Sequence, residues 1–190
     1  MFHYDKFLNE YGPGIRFHSF SEQEIEKISK VLPENIVLFL KNEGISCFGK
    51  RFFWSVNPAF FEDILAKWGI KKGYVFMRTA FGACIYFQKE EYFYLDPFFG
   101  RIVSLDDDAY LILNYSLRME SILEHAFFKD QFDRLITHPE VLQEDEMFAL
   151  APALKLGGSF ETSKIEQVKL SEHHTFLAQC FGGKAKRFRL

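Results

Sequence analysis

The side chains in this 190-residue sequence best placed to do chemistry are six acids in two runs, Asp106-Asp107-Asp108 and Glu144-Asp145-Glu146. Dense carboxylates suggest a divalent-cation site, but such a site needs oxygens converging from several directions. Three consecutive residues at a helix start fan outward, where they cap the helix and complement its dipole. The second run reads as a solvated loop. His173 and His174 are adjacent on an expected helix, about 100° apart, whereas helical ligand pairs use i, i+3 or i, i+4 spacing. His3, His18, His125 and His138 have no acidic partner at motif spacing. Cys84, within Gly82-Ala-Cys-Ile, falls in an expected buried strand, where a thiol is inert. Gly157-Gly158-Ser159 lacks the spacing of a phosphate loop or a nucleophile elbow. These readings leave no catalytic residue, no metal ligand set and no cofactor site, so an enzyme would need a hydrolase or transferase site assembled from distant residues.

The elements that must position these side chains carry clear start and stop signals. Ser21 and Glu24 have capping-box spacing, opening a helix to about Val31. Pro33 begins the next helix, with Ile36, Val37 and Leu40 as its apolar stripe and Gly44 as its C-terminal stop. Arg51 to Val56 reads as a buried strand, and Asn57-Pro58 caps a helix running through Trp68 to Gly69. From Tyr74 to Leu105, the runs YVFMRT, ACIYF, YFYL and RIVSL alternate with turn residues, an antiparallel meander. A helix is expected from Ala109 to about Glu120, with the three aspartates at its start. Another is expected from Lys129 to Thr137, stopping before Pro139. Phe148 to Ser159 is apolar without helical period, Ile165 to Val168 alternates like a strand, and Ser171 to Cys180 forms a final helix stopped by Gly182-Gly183. The whole is an α+β protein, an antiparallel sheet flanked by helices in two abutting lobes, with a boundary near residue 105 and no flexible linker.

Composition points to a large core: 24 Phe, 8 Tyr and 2 Trp bring aromatics to 18%. Such rings fill cores first, and any surplus suits the centre of an interface. No apolar run approaches the roughly 20 residues of a membrane helix, so no membrane partner is expected. Three dispersed cysteines fit reduced thiols in the cytoplasm better than a disulfide framework. The net charge of −3 gives no reason to expect nucleic acid, but its distribution is uneven. Residues 90–146 hold 14 acids against 4 bases, while the remainder holds 12 against 19. An acidic middle block steers basic partners and repels nucleic acid.

Two sets of motifs carry a family resemblance. LPENIVLFLKNEG from Leu32, FFWSVNP, TAFGACIYF and YLDPFFGRI from Tyr94 resemble the GAD-like domain of bacterial immunity proteins. PALKLGGS and IEQVKLSEHHTFLAQ resemble the C-terminal region of type VI secretion immunity proteins. The resemblance covers nearly the whole chain and divides it into residues 1–105 and 106–190. It implies neutralisation of a cognate effector toxin, typically a DNase, by binding in the cytoplasm and blocking its active site or substrate access. It brings no catalytic residues with it. The acids Asp106, Asp107, Asp108, Glu144, Asp145 and Glu146 are the expected toxin contacts, since a DNase is basic where it grips phosphate. A general scaffold or regulatory module of the same fold is the rival reading.

Overall fold

Phe7 shows how the aromatic surplus is spent. Its ring lies 5.0 Å from Tyr11, 6.2 Å from Phe39, 5.2 Å from Phe48 and 5.8 Å from Phe53, joining two helices to two strands. The computed structural model describes residues 3–136 and 142–188. In chain order the elements are α1 (Asp5–Tyr11), β1 (Ile15–His18), α2 (Glu22–Ser29), α3 (Glu34–Glu43), β2 (Ile45–Phe48) and β3 (Phe53–Ser55). A 3-10 turn, Pro58–Phe61, then runs into α4 (Glu62–Lys67). The meander β4 (Tyr74–Thr79), β5 (Cys84–Gln88), β6 (Glu91–Asp96) and β7 (Arg101–Ser104) follows. The remainder comprises α5 (Ala109–Asn114), α6 (Glu120–His125), α7 (Lys129–Leu135), β8 (Glu146–Leu150), β9 (Ile165–Lys169), α8 (Leu170–Cys180) and β10 (Lys186–Phe188).

The fold is α+β, as expected. Eight strands form one sheet in the order β1-β2-β3-β4-β5-β6-β7-β10, antiparallel except where β10 joins β7 in parallel. The two expected lobes therefore share a sheet, because the C-terminal segment supplies its last strand. β8 and β9 pair separately, and Phe148 N–H donates to the Ala80 carbonyl at 2.9 Å, tying that pair to the meander. β2 to β5 are buried at nearly every position, which requires cover on both sheet faces. One face packs Phe48, Phe53 and Tyr94 under rings from α1, α3 and Phe127. The other carries Trp54 and Arg78, adjacent across the β3–β4 ladder, with Cys84 beside Arg78 on β5.

The start signals behave as read. The Ser21 hydroxyl accepts from Glu24 N–H at 3.3 Å while Glu24 accepts from Ser21 N–H at 2.8 Å. The Asn57 side chain accepts from Ala59 N–H at 3.1 Å, although the first turn after it is 3-10 rather than α. The helix expected to reach Glu120 breaks at Tyr115, because the Ser116 hydroxyl bonds to the Asp106 carboxylate and turns the chain. β1, β2, β8 and β10 were not expected. β2 and β10 are four and three residues long, too short for a pattern, and β10 is exposed throughout. The expected end of α7 at Thr137, with His138 and Pro139, lies outside the described residues.

Gly44 ends α3 at φ +66°, and a Cβ there would run into the His18 carbonyl oxygen, backbone that cannot swing aside. Gly157, at φ +87°, has open space around it. Gly44→Ala should therefore cost on the order of 3 kcal/mol, and Gly157→Ala only about 1 kcal/mol. Urea unfolding of the two variants measures both; equal losses would remove the claimed collision.

Candidate partner-binding surface

The side chain of Asn114, buried under α5, joins that helix to α1. Its Oδ1 accepts from Lys6 N–H at 3.1 Å, and its Nδ2 donates to the His3 carbonyl at 2.8 Å. Tyr11 adds a phenol-to-Leu117 carbonyl bond of 2.6 Å, and Arg118 pairs with Glu10 at 3.1 Å. With its backbone fixed this way, the segment leaves Tyr110, Leu111, Tyr115 and Met119 exposed. The two tyrosine rings lie 6.0 Å apart, and Lys6 donates to the Tyr115 hydroxyl at 2.6 Å. That donation lowers the Tyr115 pKa. Exposed Asp106, Asp107 and Asp108 border this patch in sequence, and Asp5, Glu10 and Glu120 are exposed on the same two segments. Asp108 also caps α5, accepting from Tyr110 N–H at 2.6 Å, so capping accounts for part of the run.

The second acidic run lies elsewhere. Glu144 and Asp145 line a groove of about 820 Å³ between the 58–61 turn and the start of α8. Asp106 lines a different hollow, of about 1120 Å³, over β6, β7 and β10. The two hollows share no residue, so Asp106 and the Glu144–Asp145 pair line different hollows. Nor is the second run simply a solvated loop. Glu146 opens β8 and accepts from Gln143 N–H at 2.9 Å and from Gln167, and Lys169 reaches Asp145 at 2.7 Å and Glu146 at 3.3 Å. Hydrogen bonding from Lys169 lowers the Asp145 pKa.

Three buried polar groups lie outside these surfaces, and sequence reasoning assigned a polar role to none of them. Arg78, fully buried, stacks on Trp54 with its guanidinium carbon 4.4 Å from the ring centroid, and donates to the carbonyls of Glu144 at 2.8 Å and Gln143 at 3.4 Å. Desolvation brings it down to about 10, so it stays charged. Asp96 accepts from Phe98 N–H, Phe99 N–H and Arg101 at 3.0, 3.2 and 2.9 Å, which shapes the β6–β7 turn. Burial outweighs Arg101 and pushes its carboxyl up to about 6. His174 receives the Trp68 indole N–H on Nδ1 at 3.1 Å, so Nε2 carries the proton and donates to the Gly82 carbonyl at 2.9 Å. Cys84 Sγ lies 3.9 Å from that nitrogen. Burial holds the imidazole down to about 3 and the thiol up to about 12, so this Cys–His pair rests neutral and supplies no thiolate. Among the described residues, no group of three or more His, Cys, Asp or Glu is placed to hold a metal ion, and no helix is long and apolar enough to cross a membrane.

Family comparison resolves the chain into two parts. Residues 2–95 match the GAD-like domain, and residues 113–180 match the T6SS immunity protein Tdi1, C-terminal. The chain is a GAD-like domain joined to a Tdi1-type immunity C-terminal domain. The crystal structure of Atu4351 from Agrobacterium tumefaciens shares the fold, with a TM-score of 0.72 at 16% identity over 93% of this chain and 89% of that one. No curated protein matches. His174 belongs to the Tdi1-type domain, whereas Trp68 and Gly82 belong to the GAD-like domain, so this neutral imidazole bolts the two together. Tyr115 and Met119 lie in the Tdi1-type domain, Lys6 in the GAD-like domain, and Asp106 to Leu111 in the segment between. The surface is built where the two meet.

His174 binds fewer protons folded than unfolded between about pH 3 and 6.5, so its stabilisation is complete above 6.5 and is lost on acidification. Asp96 acts oppositely: it holds its proton up to about 6 when folded, so its contribution grows as pH falls from there toward 4. Relative to wild type, Asp96→Asn should steepen the stability loss between pH 7 and pH 4 by on the order of 2 kcal/mol, and His174→Gln should flatten it by a similar amount. Denaturant titrations across that range read both slopes, and parallel curves for all three proteins would contradict the assignments.

Proposed function

We propose that this protein protects its host by binding a cognate type VI effector stoichiometrically, and that the effector is a nuclease, most naturally a DNase. The Tdi1-type domain makes it a type VI immunity protein by family, which implies an effector to bind. The observation that carries the surface assignment is the exposed Tyr110, Leu111, Tyr115 and Met119 cluster beside Asp106, Asp107 and Asp108. Aromatic and Met side chains supply affinity at the centre of an interface, while acids around them raise the encounter rate with a basic partner. A nuclease carries cationic groups where it holds phosphate, so an acidic rim complements it and masks that surface from substrate.

A division near residue 105 falls within the gap between the two family matches, residues 2–95 and 113–180, which supports reading the contact residues as lying at the junction. Three free cysteines suit action in the reducing cytoplasm. The neutral state of Cys84 and His174 weighs against a thiol hydrolase as the alternative. A scaffold role would use the same surface but leave cells unprotected from a toxin.

Co-expression with the toxin encoded beside it should rescue growth, and failure to rescue from any adjacent toxin would end the immunity reading. Tyr110→Ala and Tyr115→Ala should each weaken toxin binding by about 30-fold, the loss of roughly 2 kcal/mol typical of an aromatic anchor. Asp106→Asn with Asp107→Asn should mainly slow association and flatten its salt dependence. Calorimetry and stopped-flow binding with the purified toxin measure both effects; unchanged affinity in the tyrosine variants would move the interface off α5.

A further inference from the structure

The groove between the 58–61 turn and α8 is not used by the proposed surface, and its chemistry points to a definite occupant. We infer that it receives an arginine-bearing peptide segment of a partner protein, with the guanidinium stacked on Phe60 and paired with Glu144 and Glu172.

Phe60 is 69% exposed, the most exposed of the large apolar side chains among the described residues. The chain holds it there: Asn57 caps the 3-10 turn, Phe61 points inward and is buried, and Phe60 is left standing at the rim. The floor is apolar, with buried Val56, Ile64 and Leu170. Above it, Glu144, Asp145 and Glu172 line the groove with Lys169, which is already committed to Asp145 and Glu146. Glu172 is exposed, and its side chain has no hydrogen-bond or ion-pair partner among the described residues. The Glu144 carboxylate lies 3.7 Å from exposed His18, and buried Arg78 beneath the loop offsets part of its charge. Against Glu144, Asp145 and Glu172 stand Lys169 and, beneath the loop, Arg78, which leaves net negative charge beside an aromatic face and over an apolar floor.

The acidic side of the groove is also fixed in advance. Arg78 grips the carbonyls of Gln143 and Glu144 from inside, and Leu170 N–H donates to the Asp145 carbonyl at 2.8 Å. Loop ordering is then already complete before a ligand arrives, which favours affinity. Arginine fits better than lysine. Its planar guanidinium stacks on a ring and presents a fork of donors to carboxylates, while its aliphatic stem covers apolar surface. At about 820 Å³ the groove lies within the roughly 300–1,000 Å³ of clefts that hold small ligands, enough for a short segment rather than one side chain.

The test uses the full chain and a fluorescein-labelled hexa-arginine peptide, read by fluorescence anisotropy at about 150 mM salt, where diffuse attraction is screened beyond about 8 Å. Hexa-lysine and hexa-glutamate peptides serve as comparisons. Hexa-arginine should bind several-fold tighter than hexa-lysine, and hexa-glutamate not at all. Phe60→Ala and Glu172→Gln, both at exposed positions that folding does not depend on, should each weaken hexa-arginine binding by about three- to ten-fold. Tyr110→Ala should leave it unchanged. Binding that survives both groove substitutions, equal binding of the lysine peptide, or no binding by the wild-type chain would each overturn the inference. None of these outcomes depends on toxin binding at α5, so the two assignments fail separately.

Discussion

A sheet covered on both faces is the constraint from which the rest of this molecule follows. Antiparallel sheets often leave one face to water and alternate apolar with polar residues. Here β2 to β5 have almost no solvent side, and the aromatic surplus in the sequence supplies the extra layer. Rings from α1, α3 and the segment after α6 close one face around Phe53, and the opposite face meets Phe17 and His174. Polar groups buried against those strands then find partners inside, although the Tyr86 hydroxyl and Arg78 Nε find none among the described residues. Arg78 binds carbonyls, Asp96 binds amides and Arg101, and His174 binds the Trp68 indole and the Gly82 carbonyl.

These interior groups also link the core to the surface. Arg78 is buried on a central strand, yet its donors end on the backbone of the loop that presents Glu144 and Asp145. Asn114 is buried beneath α5, yet it fixes the stretch that exposes Tyr110 and Tyr115. His174 couples the GAD-like domain to the Tdi1-type domain without carrying charge. A protein that must hold a partner tightly benefits from this arrangement, because an interface ordered before contact costs less entropy on binding.

Much of the local structure was legible in the residues. Ser21 with Glu24, Asn57 with Pro58, and the four alternating runs after Tyr74 each announce an element, because caps, turns and strand periodicity act over a few positions. The short strands were not legible. Lys186 to Phe188 is basic and exposed, and it becomes a strand only because β7 offers an unpaired edge. Ser116 reads as an ordinary helical residue, and its bond to Asp106 ends α5 early.

The acidic residues show the same divide at the level of function. Their number, their clustering in the middle of the chain and the family motifs around them were all determined by the sequence itself, since composition and short-range pattern need no fold. Their grouping was decided by the tertiary structure alone. It sends Asp106 and Glu144 to separate hollows, ties Glu146 into β8 and pairs Asp145 with Lys169. It also brings forward Tyr110, Tyr115 and Phe60, which in the sequence look like any of the other rings. Whether an aromatic side chain serves the core or a partner depends on which positions the packed helices leave uncovered, and that is settled by contacts between residues far apart in the chain.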